Sequence, residues 1–266
     1  MRNAVLLILA GIVTFLPKAS IAQEMRDFCP DRPGLGTPAC TIDRGHVAAE
    51  LGVMDWTLDR QPGSRTDTVL MGDLLLRYGI TDSLEVQVGW GAFGHVRARA
   101  GGMVEKESGT GDARLAVRQN LRNPDGSGLA IAAMPFLTLP VGGSAIGAGD
   151  WGAGVLLPIS GELPAGWQLG LTGSMEAAVD ADRDGRHLAY GAVIGLGIPL
   201  GETVGATFEL SARRDDDPSG AATEWLGGLS ATWSPHASLQ FDVGTNIGLN
   251  RDTPDLQLYL GIARRF

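Results

Sequence analysis

Beyond its first sixteen residues the chain has no continuous apolar run of the ~20 residues that a membrane-spanning helix requires. Charge is also sparse. Only 19% of residues are charged, and the 21 basic residues form no cluster against a net charge of −9, which argues against a nucleic-acid partner. Cysteine is confined to Cys29 and Cys40, and no histidine neighbours them. Two thiols fall short of the usual four ligands of a structural metal site, so in an exported chain the pair reads as a disulfide and metal binding as the weaker alternative.

What remains is an unusual mixture, 44% hydrophobic with 39 glycines. Met1-Arg2-Asn3, an apolar run from Ala4 to Leu16 and the small-x-small Ser20-Ile21-Ala22 give residues 1–22 the form of a removable secretory signal. A single membrane anchor is the weaker reading, because the run is short. If the exported chain then enters a membrane without helices, a closed β-barrel is the remaining way to satisfy its backbone.

Alternation supports the barrel. Leu84, Val86, Val88 and Trp90 share one face and Glu85, Gln87 and Gly89 the other, and the same split recurs around residues 112–118, 204–211 and 239–246. Twelve strands are expected near residues 46–59, 67–79, 84–96, 111–122, 128–141, 151–160, 167–178, 187–199, 204–214, 222–234, 239–249 and 255–266. The first fits worst, since Asp55 falls on its apolar face; a bulge would restore the pattern without being locatable from sequence. Connections around 79–83, 122–128, 161–166, 201–203 and 234–238 are mostly short, and those around 97–110, 141–150, 179–186, 214–221 and 250–254 are longer on average. Short periplasmic turns and long outer loops are the membrane-barrel arrangement. Tyr78, Trp167, Trp233 and Phe266 fall near the periplasmic ends, and Trp90, Trp151, Tyr190 and Trp225 near the outer ends, as two interfacial girdles. A soluble β-sandwich also alternates, but it explains neither the loop asymmetry nor the girdles. The terminal Phe266, closing an alternating strand, has the form of a signal read by the outer-membrane assembly machinery, although Arg264 departs from the apolar pattern.

Arg32-Pro33-Gly34-Leu35-Gly36-Thr37-Pro38, the strand-turn-strand from Leu76 to Glu85, the Gly111-Asp112 strand start and Pro135-Phe136-Leu137-Thr138-Leu139-Pro140 resemble the outer-membrane transporters of the "MetA-pathway of phenol degradation" family. The resemblance covers nearly all the mature chain. It implies a porin-like channel loosely linked to aromatic catabolism, and it carries no catalytic residues to transfer.

The expectation is therefore an all-β, closed antiparallel up-and-down transmembrane barrel of about twelve strands over residues 44–266, behind a periplasmic or plug-like segment 23–43 holding the Cys29–Cys40 disulfide. The inward face carries Glu50, Asp73, Arg77, Glu85, Gln87, Asp112, Arg114, Arg118, Asn120, Glu176, Glu209, Arg213, Glu224, Gln240, Asp242, Asn246, Gln257 and Tyr259. About twelve strands should leave a narrow path, so these residues are candidates for pore lining; ion-pair ladders that merely stiffen the lumen are the alternative. Inward Gly152, Gly154, Gly191, Gly195 and Gly197 form a smoother wall that either lines the pore or receives segment 23–43.

Three motifs promise less than they show. Gly147–Gly152 fits GxGxxG but no helix follows, so dinucleotide binding is not expected. Asp180–Gly185 opens like a calcium loop, but its twelfth position is Gly191 where a glutamate is required, so a solvated turn is favoured and no metal site is assigned. His236-Ala237-Ser238 lacks a third catalytic partner, and His46, His95 and His187 read as interface residues. The expected function is passive uptake of small solutes, aromatic or hydrophobic compounds among them, by a protein that is not an enzyme and needs no cofactor. A non-conducting structural or adhesion barrel, and after it a lipid hydrolase, are the alternatives. Lipid, lipopolysaccharide, the barrel-assembly machinery and a small solute are the expected partners in the bacterial outer membrane.

Overall fold

The computed structural model describes residues 25–266, so the leader expected over residues 1–22 lies outside the described residues. The described chain forms β1 (Val47–Gln61), β2 (Ser64–Gly79), β3 (Leu84–Ala100), β4 (Met103–Gly109), β5 (Ala113–Arg122), β6 (Leu129–Leu139) and β7 (Gly152–Glu162). After a single turn of 3₁₀ helix at Pro164–Gly166 follow β8 (Gln168–Val179), β9 (Arg186–Pro199), β10 (Val204–Asp215), β11 (Ala222–His236), β12 (Leu239–Gly248) and β13 (Leu256–Arg265). All except β4 belong to one closed antiparallel ring, sealed where β1 pairs with β13, Ala48 opposite Arg265. The ring is the expected twelve-stranded barrel. Closure leaves the ring itself no unpaired edge, which is the condition for a sheet to sit in lipid.

Alternation divides the side chains as the sequence requires. Val88, Leu115, Leu171, Ile194, Phe208, Val243 and Leu260 are exposed on the outer surface, and the aromatics of both expected girdles are exposed with them. An apolar band of this extent around a whole barrel belongs in a bilayer. Glu50, Arg77, Glu85, Gln87, Arg118, Asn120, Gln240, Asp242 and Asn246 are buried on the inside.

Three details differ from the alternation read in sequence. First, β4 lies within the connection expected at 97–110. It extends β3 outward as a hairpin through Gly101-Gly102, both at positive φ (56° and 82°), the backbone that a tight two-residue hairpin turn needs. Second, β1 shifts register against β13 between Gly52 and Met54. This bulge turns Asp55 inward, where its Oδ2 accepts a 2.6 Å bond from Gln257 Nε2. Third, Leu70 and Asp73 line the same lumenal cavity, so β2 changes face at Met71-Gly72, where Gly72 sits at φ +71°.

Candidate functional site

The inward charges of β1, β2, β3 and β5 meet a stretch of the chain itself. Residues 25–43 precede β1 and hydrogen-bond to the inner wall on several sides. Glu50 accepts the backbone N–H groups of Asp31 and Arg32 at 2.9 Å each. Arg118 donates to Asp31 at 2.6 Å and to the Cys40 carbonyl at 3.0 Å, and Asn120 donates to the Ala39 carbonyl at 2.7 Å. Across the lumen, Glu209 accepts the N–H groups of Leu35 and Gly36 at 2.8 Å each, and the Thr172 hydroxyl bonds both N and O of Thr37. Arg32 forms a two-pronged pair with Asp242, at 3.2 Å and 3.0 Å. Backbone groups that would otherwise be orphaned inside the barrel are thus bound by wall carboxylates and amides.

Arg77 and Arg118 have no exposed surface. Arg77 contacts Glu85 at 3.0 Å, Glu50 at 3.0 Å, Asp31 at 3.2 Å and the Cys29 carbonyl at 2.8 Å. Arg118 shares Asp31 and Glu85 with it. The planar guanidinium suits this role because it donates in several directions at fixed geometry. At the neck of the segment, Gly79 packs directly on the Ile42 and Asp43 carbonyls, where any Cβ would collide with backbone.

The Cys29–Cys40 disulfide closes a loop whose backbone carries most of these contacts. Opening it by the Cys29→Ser, Cys40→Ser pair should cost the ordered segment about 2–3 kcal/mol of restraint. The expected result is faster proteolysis of residues 25–43 in proteoliposomes and noisier single-channel current; cleavage at the wild-type rate would refute it.

Other candidate residues lie elsewhere. Asp112 accepts the N–H groups of Gly142 and Ala148, pinning the β6–β7 loop, and Ile146 of that loop packs against Gly94 and close to Leu70 at the outer mouth. Arg114 stacks on Phe136 at 3.9 Å from its ring centre, and Phe136 in turn packs over Gly154. Glu176 lies beside Gly152, while Arg213 and Glu224 pair at 3.7 Å near the outer rim. Asn246 bonds Gln257, which continues to Asp55, and Tyr259 packs over Gly244 with Arg32 5.9 Å from its ring. Asp73, with Asp55, Tyr259 and the Arg32–Leu35 turn, lines a 190 Å³ cavity. Gln87 donates to Glu85 and Asp31, and Gln240 to the Arg32 carbonyl. Sequence reading missed Phe136, an apolar residue on the inward face of β6, and Asp31, Arg32 and Ile146 as lumenal groups; the last three lie outside the strands. Nothing in alternation marks residues that enter a lumen from outside the strands.

The side of the lumen facing β7 to β10 is different. A cavity of 630 Å³ lies there between Gly36-Thr37-Pro38 and the wall formed by Gly170, Thr172, Val193, Gly195, Gly197, Thr207 and Glu209. It also touches Asp125-Gly126-Ser127 and Gln168, which belong to the short-turn, periplasmic end. There the Ser127 N–H and hydroxyl bond Asp125 and hold its carboxyl below the usual carboxylate range, so a negative charge persists at this mouth into acid.

A closed ring, a continuous apolar outer band and a polar interior define an outer-membrane β-barrel protein. Residues 30–266 match the family described as "Putative MetA-pathway of phenol degradation", and the chain belongs to that family. No curated protein matches the sequence. Among solved structures, the β domain of the Bordetella autotransporter BrkA is similar at 14% identity, covering 84% of this chain and 100% of that one with a TM-score of 0.52. The KdgM porin in complex with disordered oligogalacturonate is 8% identical, covers 83% and 99%, and has a TM-score of 0.51. The NanC porin is 6% identical, covers 82% and 98%, and has a TM-score of 0.51. At these identities the likeness concerns the fold.

Proposed function

We propose that this protein is a passive outer-membrane channel, not an enzyme, through which small solutes pass beside the N-terminal segment along the β7–β10 wall. One observation carries this reading. The segment is tied most densely to the ion-paired β1–β5 side of the lumen, whereas on the β8–β10 side, where Thr172 and Glu209 hold it, inward glycines leave a 630 Å³ cavity between segment and wall. That volume is typical of sites for small molecules. Its lining sets Phe28, Pro38 and Val193 beside Gln168, Thr172, Thr207 and Glu209, a mixture suited to a small amphipathic solute such as a hydroxylated aromatic. The family description, which names phenol degradation, supports the same class. We also assign to Phe266, exposed at the end of β13, recognition by the barrel-assembly machinery, and to the outer rim contact with lipopolysaccharide.

Planar-bilayer conductance and liposome swelling with phenol test the channel. The refolded protein is expected to conduct, and Gly195→Trp to cut the conductance by about half or more by filling the free side of the lumen. Leu171→Trp, on the lipid face, should change nothing. Absence of conductance from both the full chain and a chain lacking residues 25–43 would favour a purely structural barrel.

A further inference from the structure

At the outer end of the β8–β10 wall, two connecting loops converge on one histidine. The side chain of His187, the second residue of β9, is 6% exposed. Its Nδ1 lies 2.9 Å from Asp180 Oδ1, just after β8, and 3.5 Å from Asp217 Oδ2, in the β10–β11 connection. Its Nε2 lies 2.6 Å from Asp215 Oδ1 without an aligned hydrogen bond to any partner. Three carboxylates thus surround one imidazole. Asp215 also pairs with Arg213, at 2.6 Å. Among the described residues, Asp180 and Asp217 have no arginine or lysine partner, and His187 is the single basic group each one meets. Even a protonated imidazole supplies one charge to these two carboxylates, so the pocket lacks positive charge.

We propose that Asp180, His187 and Asp217 form a binding site for a divalent transition-metal ion of the zinc type. In a tetrahedral zinc site with metal–ligand distances near 2.0–2.2 Å, neighbouring ligand atoms lie roughly 3.3–3.5 Å apart. The separations about Nδ1 match this to within a few tenths of an ångström, and the three ligand atoms all lie within 4.8 Å of one another. Nδ1 gives its lone pair to the ion, any proton it carries leaves to solvent, and water completes the set. Nε2 then holds the remaining proton toward Asp215, the carboxylate–histidine–metal arrangement that orients ligating imidazoles. One nitrogen with two carboxylate oxygens favours zinc over calcium or magnesium, which take oxygen ligands. The site is not the calcium-like run Asp180–Gly185. From that run it takes Asp180 alone, and its other ligands come from β9 and from the next loop. A bound ion ties the β8–β9 loop to the β10–β11 loop above the glycine wall.

The test is calorimetric titration of tag-free, chelator-treated, refolded protein with zinc chloride, with calcium and magnesium chloride as parallel arms. One saturable zinc site per chain is expected. His187→Ala and Asp217→Asn should each abolish it, Asp215→Asn should weaken it about tenfold or more, and His95→Ala should leave it intact. Heat-modifiable gel mobility shows which variants are folded, so that two independent ligand variants carry the test. Absence of saturable zinc binding to the wild type, unchanged binding after His187→Ala in the folded barrel, or tighter calcium than zinc binding would each overturn the proposal. Because the readout is binding, it stands or falls apart from the channel reading.

Discussion

Arg77→Met is expected to lower the unfolding free energy of the barrel by about 3–5 kcal/mol, the range for stripping one partner from a buried ion network. The size follows from what is left behind. Asp31, Glu50 and Glu85 all bond Arg77, and Glu50 and Glu85 have no exposed side-chain surface. Without the guanidinium only Arg118 remains, and it reaches Asp31 and Glu85 but forms no ion pair with Glu50. Arg77→Lys should recover part of the loss, since an ammonium restores charge without the fork that spans three carboxylates. Combining Arg77→Met with Glu50→Gln should recover more, because the stranded charge is removed. Urea titration of the protein folded into lipid vesicles measures all of these. A cost under about 1 kcal/mol for Arg77→Met would show that water reaches these groups, against the burial that motivates the prediction.

The second large effect concerns conduction. Deleting residues 25–43 should raise single-channel conductance by about an order of magnitude, because the ring is wide enough for an aqueous path once nothing crosses it. The segment bonds to β1 through Glu50, β5 through Arg118, β8 through Thr172, β10 through Glu209 and β12 through Asp242, so its removal clears contacts on every side of the lumen. The exposed wall charges then meet water rather than hydrocarbon, which limits the cost to stability. The deleted protein should therefore still fold, as judged by gel mobility. Conductance equal to that of the full chain would mean that the segment lies beside the solute path without narrowing it.

Much of this was legible in the sequence, and what was not has identifiable reasons. Strict alternation, as in Leu84 to Trp90, both defines a strand and assigns its faces, so the ring and its girdles follow from residue order. The β3–β4 hairpin is hard to read although Gly101-Gly102 is a strong turn signal, because β4, with Glu105 and Glu107 on one face and Lys106 and Ser108 on the other, has no apolar face beyond Met103 and Val104. The change of face at Met71-Gly72 leaves both sides of the break looking regular, and only neighbouring strands reveal it. Inward parity told which side Arg77, Glu85 and Arg118 occupy but not what they meet, since the partner enters from outside the strand pattern. His187 shows the same limit. Read as an ordinary interface residue, it is buried among carboxylates of two loops, a grouping created by the pairing of β8, β9 and β10 and by no local spacing.

The junction of β1 with β13 joins the two ends of the sheet, and segment 25–43 reaches across it from within. Arg265 of β13 donates to the Arg26 carbonyl at 2.6 Å and to Asp43 at 3.0 Å, while Glu50 of β1 holds Asp31 and Arg32. The stretch of chain that narrows the passage is therefore also an internal clasp on the seam that closes the ring. Expelling the segment to widen the passage would also release a set of side-chain ties that bridge the first and last strands, leaving their backbone ladder as the seam's remaining hold.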